Sequence, residues 1–205
     1  MPGLSVTSDE TSPSLAAIVA QVDPALPEYR HQTSPDGMMT IVFTDIEGST
    51  ELMERLGEEA WLEMMLAHNQ LVRSVVAMCG GDVVKSQGDG FMLVFGSASS
   101  ALSCAVELER AVTRFNAANR ARSLRVRIGV HTGNIFQVED DFLGRAVVLA
   151  ARIAGRARGA EVLVSAACKE YTEHLGRWNY GAPRSLSLKG LVGAEHVYSL
   201  DWRAA

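Results

Sequence analysis

The sequence predicts an α+β fold with a ferredoxin-like βαββαβ core and a C-terminal extension. A β-branched apolar run at 40–44 predicts a buried strand. Two short apolar runs, at 82–86 and 91–95, flank Gly88-Asp89-Gly90, and this arrangement is typical of a β-hairpin. Segments with apolar residues at helical spacing lie before and after that hairpin. Together these patterns predict the order strand, helix, hairpin, helix, strand.

The first helix is predicted to begin at Ser49 or Thr50, either of which can cap it. Helical spacing then continues, with a break at Gly57, until Gly80-Gly81 ends the helix. The second helix is predicted over 97–121. The fourth strand of the core is predicted at 124–131, where apolar and polar residues alternate.

The C-terminal extension is predicted to add four strands and two helices to this core. In chain order these are a strand near 134–138, a helix near 144–156, a strand at 161–165, a short helix to about 174, and strands near 184–188 and 195–200.

Proline separates the N-terminal segment from this pattern. Five of the six prolines precede residue 36, and proline removes a backbone donor and fixes φ. Residues 1–37 are therefore interpreted as a flexible tail in which 14–22 could form a helical turn or two. The domain itself is predicted to be 38–205.

Composition excludes several classes of protein. The 205 residues carry a formal net charge of −5, which argues against a protein that coats nucleic acid. Arginines at 120, 122, 125 and 127 are accordingly interpreted as a solvated edge or a dimer contact. No apolar run approaches the roughly 20 residues of a membrane helix, and no secretory signal is recognisable. The three cysteines are expected to be free thiols of a cytoplasmic protein.

Two aspartates are expected to meet at one end of the sheet. Asp45 follows the first strand, and Asp89 lies in the hairpin. In a split βαβ unit the third strand lies beside the first and antiparallel to it, so these two positions become neighbours. Paired carboxylates suit Mg²⁺ or Mn²⁺. The alternative is that Asp45 caps the helix and Asp89 is only a turn residue.

The start of the first helix is a candidate phosphate site. The backbone N–H groups of Glu47, Gly48 and Ser49, with Thr50 beside them, precede or open the helix. Helix N-termini attract anions because their first N–H groups are unpaired. A metal site next to a phosphate site indicates nucleotide chemistry.

Five ordered motifs give the sequence a family resemblance. They are FTDIEGST at 43–50, KSQGDGFM at 85–92, RIGVHTG at 127–133, DFLG at 141–144 followed by AAR at 150–152, and LKGL at 188–191 with Tyr198. Over about residues 38–202 the chain resembles the catalytic domain of class III nucleotidyl cyclases, of the bacterial, mycobacterial-like adenylate cyclase type.

The resemblance implies a role for each matching residue. Two divalent ions, Mg²⁺ or Mn²⁺, would be held by Asp45, Asp89 and the carbonyl of Ile46. Lys85 and Asp141 would read adenine, Arg152 would stabilise the transition state, and Lys189 would contact phosphate. The position four residues before Arg152, usually an asparagine in this family, is Val148. Since valine cannot donate, a stabilising hydrogen bond would be missing or supplied elsewhere.

The implied function is an adenylate cyclase that converts ATP to 3′,5′-cyclic AMP and pyrophosphate. It would act as a cytoplasmic, head-to-tail homodimer with shared active sites, without nucleic-acid or membrane partners. One alternative is a degenerate cyclase-fold module that binds nucleotide or a partner with little turnover. Another is a cyclase for a different nucleoside triphosphate.

Overall fold

The structure is a computed structural model that describes residues 38–138, 141–191 and 193–205. The predicted tail at 1–37, with its helical turn at 14–22, lies outside these residues. The boundary of the domain at residue 38 therefore stays a prediction.

Nine strands and five α-helices are formed within the described residues. In chain order they are β1 (Met38–Ile46), α1 (Ser49–Leu56), α2 (Glu58–Met78), β2 (Asp82–Gln87), β3 (Gly90–Phe95), α3 (Ala98–Ala118), β4 (Val126–Asn134), β5 (Phe136–Val138), β6 (Asp141–Leu143), α4 (Arg145–Ala154), β7 (Glu161–Ser165), α5 (Ala166–Glu170), β8 (Arg184–Ser187) and β9 (Ala194–Ser199). None of the helices in this part of the chain is both long enough and apolar enough to cross a membrane.

Seven of the strands form one mixed sheet in the order β2-β3-β1-β4-β7-β9-β8. β3 lies between β1 and β2 and runs antiparallel to both, so the predicted split arrangement is confirmed. β4 pairs with β7 in parallel, and the other neighbouring strands are antiparallel. The sequence did not predict β6, which pairs with β5 in a separate two-stranded hairpin.

The helix boundaries follow local chemistry. The predicted break at Gly57 is confirmed, and its φ of 79° is one that glycine adopts without strain. Ser97 caps α3 by accepting a hydrogen bond from the N–H of Ser100. The predicted end of α3 at residue 121 is wrong, because the helix ends at Ala118. There the amide side chain of Asn116 bonds both the N–H and the carbonyl of Leu124, and these bonds tie the helix end to the chain leading into β4.

The sheet is covered on both faces. Helices α2 and α3 pack on one face around apolar residues that include Val42 and Ile46 of β1. Helix α4 packs on the other face around residues that include Ile41 and Phe43. Because successive side chains of a strand point to opposite faces, β1 is buried along nearly its whole length and is apolar at six of its nine positions.

Helix α4 lies directly against the backbone of β4 at Gly129. A Cβ atom at that position would lie 2.2 Å from the backbone nitrogen of Ala154 and 2.6 Å from its Cα. Only glycine permits this approach, which sets the height of α4 above the sheet and therefore the position of Arg152 on that helix.

We expect Gly129→Ala to lower the free energy of unfolding by about 1–3 kcal/mol, because the added methyl group pushes α4 away from the sheet. Urea denaturation of the purified protein measures this change. Gly181→Ala is the matched control, since its nearest neighbour would be 3.6 Å away. Equal unfolding midpoints for the two variants would contradict the close approach.

Candidate active site

The two predicted metal ligands lie next to each other. Asp45 is the penultimate residue of β1 and is fully buried, and Asp89 lies in the turn between β2 and β3. The backbone N–H of Ile46 donates a hydrogen bond to Asp89 Oδ2 over 3.3 Å. The topology therefore brings the two carboxylates to one end of the sheet, as the sequence predicted.

Asp45 has a partner that the sequence analysis missed. Arg127 lies opposite it in the β1–β4 register, and Arg127 Nε donates to Asp45 Oδ2 over 2.7 Å. A second guanidinium nitrogen of Arg127, Nη2, donates to the same oxygen. The interpretation of Arg127 as part of a solvated edge is wrong, since its side chain is 13% exposed and ion-paired within the chain. The alternative of a dimer contact stays a prediction. Knowing the register of β1 against β4 would have revealed the pair.

The donor set at this end of the sheet fits a hard divalent cation. Two carboxylates and the carbonyl of Ile46 would offer oxygen atoms only. Within the described ranges no group of three or more His, Cys, Asp or Glu residues could form an all-protein metal cage. Mg²⁺ characteristically binds one or two carboxylates and takes its other ligands from water and phosphate. The residues present therefore suit a cation that is bound together with a phosphate-bearing ligand.

Helix α2 packs against the strand that follows the Asp89 turn. His68 is buried there, and its ring meets that of Phe91 edge to face at 5.9 Å between centroids. Burial lowers the pKa of His68 to about 4, and the nearby backbone of Asp89 acts in the opposite direction. The imidazole of His68 is therefore neutral near pH 7 and adds no charge near the two carboxylates.

The loop between β1 and α1 is held by Glu47. Its backbone N–H donates to the carbonyl of Arg125 over 2.9 Å, so that group is not available to a phosphate. Its carboxylate accepts from the N–H of Gly159 and pairs with the Arg125 guanidinium. The prediction of a phosphate site here is thereby narrowed to the N–H groups at Gly48, Ser49 and Thr50. Gly48 adopts the left-handed conformation that starts α1.

Lys85 and Asp141 form a buried ion pair. Lys85 Nζ lies 2.8 Å from Asp141 Oδ1 and 2.7 Å from Oδ2, although 56 positions separate them in the chain. Lys85 belongs to β2 and Asp141 to β6, and the N–H of Phe142 also donates to Asp141 Oδ1. The β5–β6 hairpin, which the sequence did not predict, therefore brings the two predicted base-reading residues together.

Arg152 and Lys189 are positioned by α4. Arg152 lies in the last turn of that helix and is partly exposed, with no hydrogen bond or ion pair to any part of the chain that the structure describes. Lys189 is exposed in the turn after β8. The adjacent Leu188 packs with Ile153 of α4 in one apolar cluster, so the predicted transition-state arginine and the segment of the predicted phosphate-contacting lysine are both held by the same helix.

The candidate residues thus form three groups. Asp45, Ile46 and Asp89 make up the first, Lys85 and Asp141 the second, and Arg152 with Lys189 the third. Asp45 and Lys85 lie on the sheet face that carries α4. Asp45 follows Phe43 of that face by two residues, and Lys85 pairs in register with Met92 of that face. All three groups are therefore associated with one side of the sheet.

Comparisons with known proteins agree on one family. The sequence model of one protein family, the adenylate and guanylate cyclase catalytic domain, matches residues 31–201 of this chain. A putative adenylate cyclase of Rhizobium meliloti is 33% identical over 138 residues, which cover 65% of this chain and 23% of that protein. An adenylate cyclase of Podospora anserina is 33% identical over 156 residues, which cover 64% of this chain and 7% of that protein. The chain therefore spans less than a quarter of either relative.

A solved structure gives the same result for the fold. Adenylate cyclase of Trypanosoma brucei, solved in its monomeric state, superposes with a TM-score of 0.74 at 26% identity. The match covers 82% of this chain and 91% of the other.

We expect the Lys85–Asp141 pair to be strongly coupled in a double-mutant cycle. Lys85→Met or Asp141→Asn alone leaves a buried charge unpaired and should cost about 3–5 kcal/mol of unfolding free energy. Because the double variant leaves neither charge unpaired, its loss of unfolding free energy should be smaller than the sum of the two single losses by about 1–3 kcal/mol, which is more than the control pair below should show. Chemical denaturation of the four proteins measures this coupling.

The control for this cycle is Arg122 with Glu63, an exposed pair from similarly distant parts of the chain. Arg122→Met and Glu63→Gln should couple by about 0.2–1 kcal/mol. A coupling for Lys85 and Asp141 no larger than this would contradict a buried pair.

Proposed function

Because this chain belongs to the family of adenylate and guanylate cyclase catalytic domains, the class III nucleotidyl cyclases, we propose that it is an adenylate cyclase. It converts ATP to 3′,5′-cyclic AMP and pyrophosphate. The observation that carries this proposal is the buried pair of Lys85 and Asp141, which sets one donor beside one acceptor. These are the residues that the resemblance assigns to reading the base.

The pair is suited to adenine. Lys85 donates to N1 of the base, and Asp141 accepts from the exocyclic N6 amino group. Guanine presents the opposite pattern of donor and acceptor on this edge, so both groups would lose their partners. A buried polar group left unpaired costs about 1–3 kcal/mol. The pair therefore favours ATP over GTP.

In the reaction the ribose 3′-hydroxyl releases its proton to solvent and its oxygen attacks the α-phosphorus, while the bond from that phosphorus to the leaving pyrophosphate breaks. Divalent ions, Mg²⁺ or Mn²⁺, when bound by Asp45, Asp89 and the Ile46 carbonyl, supply Lewis-acid activation of the 3′-hydroxyl and neutralisation of phosphate charge. Arg152 stabilises the negative charge that develops on the transferred phosphoryl group. Lys189 and the N–H groups at the start of α1 bind the remaining phosphates.

The active site is shared between two copies of the chain. In this family one subunit supplies the metal-binding aspartates, and the other supplies the base-reading residues and the arginine. The partly exposed Arg152, without a partner in the described residues, is consistent with a role toward a second chain. A head-to-tail homodimer would contain two such sites.

Val148 supports a second candidate function. It lies on α4 one turn before Arg152, at the position where the family usually has an asparagine. Loss of a transition-state donor can cost about 10²–10³ in rate. A nucleotide-binding module with little turnover, or a cyclase for another nucleoside triphosphate, would follow if nothing replaces that donor.

The purified protein is incubated with Mn²⁺ and with each of the four common nucleoside triphosphates separately. We expect it to form cyclic AMP from ATP. GTP should react at least about tenfold more slowly than ATP, because even one of the two groups left unpaired costs about a factor of ten. Asp89→Asn is the inactive control. Absence of cyclic product from all four nucleotides, at concentrations that support a dimer, would contradict the enzyme proposal and favour the binding module.

We expect Asp45→Asn and Arg152→Ala each to be nearly inactive alone, and a mixture of the two to regain activity. If subunits exchange freely, half of the dimers are mixed and each has one intact site, so about a quarter of wild-type sites return. Arg152 suits this test because its side chain makes no hydrogen bond or ion pair with the described residues, so truncating it removes no such contact. A mixture of Asp45→Asn with Asp89→Asn should regain nothing. No recovery in heterodimers isolated with two affinity tags would contradict the shared site.

A further inference from the structure

We propose that Arg127 is a built-in counter-ion of the metal-binding carboxylate. It holds Asp45 in the metal-free protein and keeps the affinity of the site for a free divalent cation low until nucleotide is present. Arg127 is thus a positioning residue that acts through Asp45. The inference rests on the proposed function, since it takes Asp45 as a metal ligand.

The geometry of the pair is specific. Asp45 and Arg127 are directly opposite each other in the antiparallel register of β1 and β4, a pairing that runs over nine positions of each strand. Two guanidinium nitrogens of Arg127 donate to the same oxygen, Asp45 Oδ2. Because strand register fixes both backbones, the guanidinium cannot leave this carboxylate without a change of its own side-chain conformation.

Burial explains why a counter-ion is needed. Asp45 is 0% exposed and Asp89 only 4% exposed, so water contributes little to the solvation of either carboxylate. A buried charge without compensation costs several kcal/mol. Arg127 therefore keeps this end of the sheet formed before any cation is bound.

The same charge opposes the entry of a cation. The carboxylates of Asp45 and Asp89 together carry a charge of −2, and the guanidinium group of Arg127, paired with Asp45, reduces the charge of this group to −1. Unlike Arg125, whose side chain is 68% exposed, Arg127 acts from a position largely shielded from solvent. A phosphate chain would restore the negative charge that a dication requires.

Mn²⁺ binding without nucleotide tests the proposal directly. Isothermal titration of the purified protein with MnCl₂ should show weak binding for the wild type. Arg127→Met should bind Mn²⁺ at least about tenfold more tightly than the wild type, because a nearby and largely buried positive charge is removed. Arg125→Met is the matched control: it removes the same charge two residues away, at an exposed position, and should change the affinity by less than about threefold. Arg127→Lys should return the affinity toward that of the wild type.

Thermal unfolding provides a second readout that needs neither turnover nor a soluble high-concentration sample. Without metal, Arg127→Met should unfold at a lower temperature than the wild type or Arg125→Met, and Mn²⁺ should raise its midpoint more than theirs. Arg127→Gln serves the same comparison if Arg127→Met does not fold. Adding Asp45→Asn to Arg127→Met should abolish the extra response to Mn²⁺.

The outcomes separate this proposal from the proposed function. If the wild type forms cyclic AMP but Arg127→Met and Arg127→Gln bind Mn²⁺ no more tightly than Arg125→Met, the counter-ion role is overturned and the enzyme proposal stands. If the extra affinity persists when Asp45 is replaced, the role is also overturned. If the affinity rises as expected while the wild type forms no cyclic product, the counter-ion role holds and the enzyme proposal fails.

Discussion

The pairing of β1 with β3 on one side and β4 on the other is the constraint on which the candidate site depends. The register with β3 places the Asp89 turn beside Ile46, and the register with β4 places Arg127 beside Asp45. A shift of one residue in either ladder would turn each side chain to the opposite face of the sheet. Such a shift would turn Asp45 away from Arg127 and toward the apolar cluster that contains Val42 and Ile46.

Two buried ion pairs stand out against this apolar background. Asp45 with Arg127 and Asp141 with Lys85 each join elements that are distant in sequence. Buried pairs of this kind contribute little net stability compared with well-packed apolar residues, because desolvation offsets their attraction. Their value in this chain is positional. Each pair keeps a carboxylate and a cation in a defined place, and these carboxylates are the ones that the proposed function assigns to the base and to the metal ion.

Much of the fold was predictable because its local signals are strong. The β-branched run of β1, the glycine-flanked turn at Asp89 and the break at Gly57 each report a backbone preference that neighbours in sequence already determine. The end of α3 was predicted wrongly, because the bonds between Asn116 and Leu124 that accompany its end depend on the path of the following chain. The three-residue strand β6 was missed, because a segment so short has no periodicity to detect.

The amino-acid sequence alone identified the residues of the candidate site and the class of chemistry, since five ordered motifs specify residue types and spacings. It also predicted that Asp45 and Asp89 meet, because in a split βαβ topology the third strand lies beside the first strand and runs antiparallel to it. Only the tertiary structure revealed that Arg127 pairs with Asp45, that the Glu47 N–H is bonded within the chain, and that β6 brings Asp141 to Lys85. Those contacts depend on strand register and on the packing of distant segments, and neither is encoded in local sequence patterns.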